Sequence, residues 1–243
     1  MKHTILGQLR LSRMHYILSA SLIIGGGILG TIVFELMMRL KEVHSEEPTT
    51  FEMAFLFACL LGIILLFSRS ISGIGTNFNQ TVSMSRTRKS FFIGYTISCF
   101  LNSCICGICL LIVSITEQWR LKTWWGAYPC ETNFHVLLTS SHFFLGILLF
   151  TAFQELIGYL ILRFERKAFW VLWVFWMIGA IGIPRMMSDM ENHIDSPLAA
   201  FGFSVSKAFS HIPGPIWYLA GIAVVFIFIM ISYLGFRRHR VTA

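Results

Sequence analysis

The sequence predicts an all-α polytopic membrane protein with six transmembrane helices and both termini in the cytoplasm. Of its 243 residues, 56% are hydrophobic and only 13% are charged, a composition too apolar for a soluble globular domain. The charged residues cluster between long apolar runs, and the basic ones are divided unequally between the two sides of these runs. No linker or soluble segment interrupts the pattern, so residues 1–243 are expected to form a single transmembrane domain.

Six apolar segments are about as long as a membrane span, since roughly 20 residues are needed to cross about 30 Å of hydrocarbon. They cover residues 16–38, 51–68, 91–115, 134–161, 169–187 and 216–236. With this division, thirteen of the nineteen Lys and Arg residues lie on the side of both termini, and six lie on the other. Because basic residues are retained on the cytoplasmic side, both termini are predicted to be cytoplasmic. The basic character therefore reflects membrane anchoring, and no nucleic-acid partner is expected.

Span one carries two features that predict side-chain contacts, one with another helix and one along the span itself. Gly26 and Gly30 belong to a small-residue face that favours a close helix contact, either inside one subunit or between two. Near the outer end of the span, Glu35 lies four residues before Arg39, a spacing that predicts an ion pair along the helix.

The segment between spans five and six has the pattern of a short interfacial helix. Ser196 and Pro197 provide a favourable start, and apolar residues then recur at helical spacing from Leu198 to Phe209 before Pro213 ends the run. We expect this helix to lie in the outer interface of the membrane.

Motifs that would carry catalysis or hold a metal are lacking in the sequence. There is no phosphate-binding glycine loop and no H-E-x-x-H, and the C-x-x-C formed by Cys106 and Cys109 is not accompanied by a second such pair. Cys106 and Cys109 share a helical face, but thiols in spans ordinarily pack as small apolar residues, so no metal or other cofactor is expected on this chain.

Three polar residues of span four are candidates for a substrate pathway or an intramembrane polar site. Glu155 lies about two turns inside the cytoplasmic end of the span, beside Gln154, and no basic residue stands three or four positions away. An unpaired charge at such a depth is costly and therefore needs a cavity or a partner helix. His142 lies thirteen residues earlier and does not share a helical face with Glu155. A coupling role and a purely structural role for Glu155 both remain open.

A short polar segment separates spans two and three. Asn77 can cap a short helix in which Phe78 and Val82 share one face, and Arg86, Arg88 and Lys89 then hold its end at the cytoplasmic surface. The pattern predicts an amphipathic cytoplasmic element between two spans; a simple basic topology anchor is the alternative.

The run from Val82 to Phe92 resembles the corresponding stretch of ABC-2 type (type V) ABC transporter permease subunits. In that family a Thr/Ser-Arg-Lys-x-Phe-Phe pattern follows a short coupling helix between spans two and three, and Thr87, Arg88, Lys89, Phe91 and Phe92 match it. Ser85 stands where glycine is common in the family. The resemblance implies that the residues which contact the ATPase are Asn77, Phe78, Gln80, Thr81, Val82, Met84, Arg86, Arg88 and Lys89.

The same resemblance implies a function and its partners. The chain would be the non-catalytic permease subunit of an ATP-driven exporter in a bacterial plasma membrane, moving a hydrophobic or amphipathic cargo such as an antimicrobial peptide or a drug. A second permease subunit, identical or paralogous, would pair with it in the lipid, and separate ATPase subunits would bind ATP and Mg. The alternatives are an integral membrane enzyme, or a stand-alone channel or secondary carrier, that uses Glu155 and His142.

Overall fold

The fold is all-helical throughout the part of the chain that the computed structural model describes, which comprises residues 2–42, 52–65, 88–126, 140–164, 166–178 and 214–238. The six helices in these ranges are α1 (Lys2–Glu42), α2 (Met53–Leu65), α3 (Arg88–Trp124), α4 (Ser140–Phe164), α5 (Arg166–Met177) and α6 (Gly214–Arg238).

Four of these helices are long and apolar enough to cross a membrane. Their membrane-competent stretches are Ser12–Leu40, Lys89–Trp124, His142–Phe164 and Pro215–Arg237. They coincide with predicted spans one, three, four and six. Helices α2 and α5, at 13 and 12 residues, lie within the regions predicted as spans two and five but are shorter than a span. The rest of those two regions, the cytoplasmic element at 77–84 and the interfacial helix at 196–209 lie outside the described residues, so six spans and the orientation of the termini stay predictions.

The two longest helices extend well beyond the hydrocarbon. With 37 residues at a rise of 1.5 Å, α3 is about 55 Å long, against a hydrocarbon core of about 30 Å. Since predicted span three covers 91–115, most of the excess lies at the carboxy-terminal end of α3, where Glu117 and Arg120 follow. Helix α1, with 41 residues, extends mainly at its amino-terminal end.

The glycines of α1 make a close contact with α2. A Cβ atom on Gly30 would lie 2.6 Å from both Ala54 Cα and the Met53 carbonyl oxygen, and one on Gly26 would lie 3.1 Å from the Phe57 carbonyl oxygen. Separations below 3.0 Å leave no room for a side chain, so glycine permits the two backbones to touch. This small-residue face therefore packs inside one subunit.

Helices α4 and α6 lie side by side in parallel with a constant register. His142 contacts Tyr218, Gly221 faces Leu145 and Gly235 faces Tyr159, so each pair is separated by the same 76 positions. A parallel arrangement agrees with the predicted topology, in which spans four and six both run from the outside inward.

Among the described residues, the buried core has three parts along the length of the bundle. At the end predicted to be cytoplasmic, called the inner end below, an aromatic cluster joins α3, α4 and α6. In the middle, small and aliphatic residues join α1, α2 and α3, and at the opposite end, called the outer end, Phe34, Met38 and Leu121 join α1 and α3. Cys106 and Cys109 are buried in the middle part, which confirms the prediction that they pack as apolar residues.

Candidate functional site

Helices α1 and α3 are joined by a row of polar side chains inside the membrane, here called the polar seam. The Ser98 hydroxyl lies 2.8 Å from both the Ser12 and Tyr16 hydroxyls, and the Ser19 hydroxyl donates to the Asn102 amide oxygen at 3.2 Å. Asn102 is 1% exposed. Because lipid tails offer no hydrogen-bond partner, such pairs favour one register of the two helices over its neighbours.

Gln154 extends this polar seam from α3 to α4. Its side-chain Nε2 donates to the Ser103 hydroxyl at 2.8 Å, and the Tyr95 hydroxyl donates to its backbone carbonyl oxygen at 3.3 Å. The Gln154 Oε1 atom is buried and makes no hydrogen bond within the described residues. The sequence pattern alone gave no partner for Gln154, whereas the structure places it between Tyr95 and Ser103 of α3.

Glu155 is completely buried, at 0% exposure, next to Gln154. The hydroxyl of Thr96 in α3 lies beside the Glu155 carboxyl group. It does not reach hydrogen-bond geometry with either carboxyl oxygen. Nor does any basic side chain in the described ranges form an ion pair with it. The sequence predicted that this acid needs a cavity or a partner helix, and the structure buries it beside Thr96 of α3.

His142 lies elsewhere and does not share a site with Glu155. It is exposed near the outer end of α4, where its Nε2 atom lies 3.0 Å from the Tyr218 hydroxyl of α6. Thirteen residues separate His142 from Glu155, which is about 20 Å along the helix. The two side chains therefore cannot act together on one small reacting group, and the described residues contain no cluster of His, Cys, Asp and Glu that could hold a metal.

An apolar cavity of about 220 Å³ lies between α1, α2, α3 and α4. Its walls include Cys59 and Gly62 of α2, Cys106 and Gly107 of α3, and Gly146 of α4. Glycine at three of these positions leaves open the space that side chains would otherwise fill. The cavity is consequently suited to a hydrocarbon group rather than to a polar one.

The cavity meets the polar seam at one residue. Ser103 both lines the cavity and accepts the hydrogen bond from Gln154. An amphipathic molecule in the cavity could therefore place its apolar part against α2 and reach hydrogen-bonding groups at Ser103.

A charged cluster at the outer end of the bundle was not predicted. The Glu117 carboxylate accepts hydrogen bonds from the backbone N–H groups of Ala54 at 2.7 Å and Phe55 at 2.8 Å, in the first turn of α2. These N–H groups have no partner within a helix, and Glu52, which precedes α2, is not a residue type that favours the capping position. Glu117 therefore caps α2 from a different helix.

Arg120 links this cap to α1. Its guanidinium donates to Glu35 Oε1, lies 3.9 Å from Glu117 Oε1 and stacks 4.6 Å from the centroid of the Phe34 ring. The expectation that Glu35 pairs with Arg39 is wrong, because Arg120 reaches Glu35 from α3 and is itself largely buried, whereas Arg39 is exposed. The i,i+3 spacing of Glu117 and Arg120 just beyond predicted span three was the signal available for this cluster.

The basic start of α3 leads directly into the aromatic cluster of the inner core. Phe91 is 0% exposed and Phe92 is 8% exposed, and each packs against Phe236 of α6 with ring centroids 6.0 and 5.8 Å apart. Tyr159 of α4 joins the same cluster, 6.2 Å from Phe236. The two phenylalanines of the Arg-Lys-x-Phe-Phe pattern thus fix α3 to α4 and α6.

The sequence-predicted site residues are brought together only in part. Gln154 and Glu155 are adjacent to the α3 seam, and Arg88 and Lys89 begin α3. His142 is separated from Glu155 but lines the apolar cavity together with Ser103. The other residues assigned to ATPase contact lie outside the described residues: Asn77, Phe78, Gln80, Thr81, Val82, Met84 and Arg86. Comparisons with protein-family models, with curated proteins and with solved structures gave no significant match for this chain.

Proposed function

We propose that the chain is the transmembrane permease subunit of an ATP-driven exporter in a bacterial plasma membrane, with its ATPase on a separate chain. The observation that carries the proposal is the position of α3, which begins at the Arg-Lys-x-Phe-Phe pattern and contacts α1, α4 and α6. Through Glu117, α3 also holds the start of α2. A force applied to the chain before Arg88 would therefore act on the one helix that, among those described, contacts every other long helix.

The inner aromatic cluster supports transmission of such a force. Phe91, Phe92, Tyr159 and Phe236 are buried against one another, so a displacement of the first turn of α3 shifts α4 and α6 with it. Packed cores resist continuous deformation and favour movement as rigid bodies. ATP-driven closure of a partner ATPase, acting on residues 77–84, would move this group as a unit.

The outer charged cluster supports transmission to the opposite face. Arg120 connects α3 to α1 through Glu35, and Glu117 connects α3 to α2. The apolar cavity lies between these same helices, so a relative movement of α2 and α3 changes its width. This arrangement suits alternating exposure of a hydrophobic or amphipathic cargo.

A second subunit is part of the proposal because one cavity is small for a cargo of this class. Pockets for drug-sized ligands usually measure about 300–1,000 Å³, and the volume found here is about 220 Å³. Pairing of two permease subunits, identical or paralogous, would supply a second such cavity or complete a shared one.

The test is co-purification from the native membrane in a mild detergent, followed by measurement of ATPase activity. We expect a nucleotide-binding partner to co-purify, and we expect Phe78→Asp with Val82→Asp to remove it while membrane insertion is retained. Asn79→Asp with Ser83→Asp is the matched control, because it adds the same two charges to the predicted polar face of the same segment. A chain that purifies without an ATPase in every condition would refute the proposal.

One observation favours a secondary carrier as the rival. Glu155 is a fully buried acid within α4 that makes no hydrogen bond among the described residues, and intramembrane acids often mark ion or proton pathways. Proton-driven uptake by the purified chain in liposomes, abolished by Glu155→Gln and independent of ATP, would establish the carrier. The 20 Å separation of Glu155 from His142 argues against an enzyme that uses both.

A further inference from the structure

A second cavity, of about 300 Å³, opens where the start of α3 meets the end of α6. It is lined by Lys89 and Phe92 of α3 and by Tyr233, Phe236 and Arg237 of α6. Two cationic side chains from different helices thus share one cavity with three aromatic rings. Both helix ends belong to the face of the membrane that is predicted to be cytoplasmic.

The aromatic walls of this cavity are held in place by packing. The Phe92 ring lies 5.3 Å from that of Tyr233 and 5.8 Å from that of Phe236, measured between centroids. Phe92 and Phe236 are also members of the inner aromatic cluster. The cavity is therefore formed before any ligand enters it.

Its electrostatics favour an anion. Among the described residues that line it none is acidic, and both Lys89 and Arg237 are exposed. Of the twelve acidic residues in the sequence, nine lie in segments predicted to be on the opposite side of the membrane.

An exposed apolar track leads along α6 to the same cavity. Phe226, Met230, Tyr233 and Arg237 follow at spacings of four, three and four residues, so they lie on one face of the helix. Phe226 is 64% exposed and Met230 is 40% exposed. A cationic cavity at the membrane surface with an apolar face beneath it matches the shape and polarity of a phospholipid.

We infer that this cavity binds the headgroup phosphate of an anionic phospholipid from the cytoplasmic leaflet, with an acyl chain lying along Phe226 and Met230. Basic pockets between transmembrane helices on that side of the membrane are suited to anionic headgroups. The apolar track favours a lipid over free phosphate. The inference does not depend on the proposed export function, because it needs only the α3–α6 contact, the membrane location and the predicted orientation of the spans.

The experiment measures lipid binding to the purified full-length chain by native mass spectrometry, with phosphatidylglycerol and phosphatidylcholine as probes. The test variant is Lys89→Gln with Arg237→Gln. The control is Arg10→Gln with Lys167→Gln, which removes the same charge from exposed positions on the predicted cytoplasmic side. A third variant, Lys89→Arg with Arg237→Lys, keeps both charges, and thermal unfolding in phosphatidylcholine checks that all variants fold.

We expect phosphatidylglycerol to be preferred over phosphatidylcholine. Each basic group near an anionic surface contributes a factor of about five, so the test variant should bind phosphatidylglycerol roughly 25-fold more weakly. The control and the charge-conserving variant should retain the preference. Equal retention of the two lipids, or an equal loss in the control variant, would overturn the inference. Displacement of the lipid by millimolar inorganic phosphate would also overturn it, in favour of a free-anion site.

Discussion

Replacing Glu117 with alanine tests whether α2 is held in the bundle by a carboxylate of its neighbour. Both Glu117 oxygens accept backbone hydrogen bonds from the first turn of α2, and the residue is 3% exposed. Without it, the N–H groups of Ala54 and Phe55 lose their acceptor in a place where solvent is excluded. Glu117→Ala should therefore loosen the start of α2 rather than unfold the whole bundle.

The expected cost follows from the two contacts. A hydrogen bond to a charged group contributes about 1.5–3 kcal/mol, so the pair contributes roughly 3–6 kcal/mol before correction. Removal of Glu117 also relieves the cost of burying its charge, which offsets part of this sum. A net loss of about 2–4 kcal/mol remains, which corresponds to a fall in melting temperature of roughly 5–15 °C for a chain of this length. Glu117→Gln keeps one acceptor oxygen and should lose about half as much.

The assay combines thermal unfolding in detergent with amide hydrogen exchange at positions 54 and 55. Faster exchange at these two amides, together with the lower melting temperature, would identify the loss of the cap. Lys122→Gln is the control, because Lys122 is exposed on the same extension of α3. If Glu117→Ala leaves the exchange of both amides unchanged and shifts the melting temperature by no more than about 1 °C, the carboxylate does not hold α2.

Three further predictions concern packing and the buried acid. Gly30→Ala should destabilise the chain by about 2 kcal/mol or more in thermal unfolding, because the new Cβ atom would lie 2.6 Å from Ala54 Cα. Gly25→Ala is the control and should be neutral, because a Cβ atom there meets nothing within 4 Å. Equal effects of the two substitutions would contradict the α1–α2 contact. Phe236→Ala should cost about 3–5 kcal/mol, since it leaves a cavity in the inner cluster, and a loss below about 1 kcal/mol in the same assay would contradict that packing. Glu155→Gln should leave the melting temperature within a few degrees of wild type but alter reconstituted transport; unchanged transport would assign the buried acid a structural role.

The positions of four membrane-spanning helices could be predicted from the sequence because hydrophobic length is a local property. The stretches around predicted spans one, three, four and six each contain enough apolar residues to be recognised without knowledge of their neighbours. Burial of Glu155 was predictable for a related reason, since an acid in an apolar run must avoid lipid. The burial of Cys106 and Cys109 followed in the same way from their place in a span.

The choice of polar partners could not be predicted in this way. Glu35 has Arg39 within reach on its own helix, yet it binds Arg120, which is 85 positions away. An exposed pair along one helix contributes only a few tenths of a kcal/mol, so the contact between two helices takes precedence once α1 and α3 pack together. Likewise, nothing in the sequence around Glu117 indicates that its acceptor groups serve the first turn of α2.

Register explains why these polar contacts matter to the proposed transport. Apolar side chains pack against lipid tails almost as favourably as against another helix, so apolar contacts alone hold one register of two membrane helices only weakly. Helices α1 and α3 carry polar pairs at three levels, at Ser12 and Ser98, at Ser19 and Asn102, and at Glu35 and Arg120. Sliding one helix along the other would break all three at once. In the proposed transport, a movement that begins at the inner end of α3 would therefore carry α1 with it and reach the outer end without loss of register.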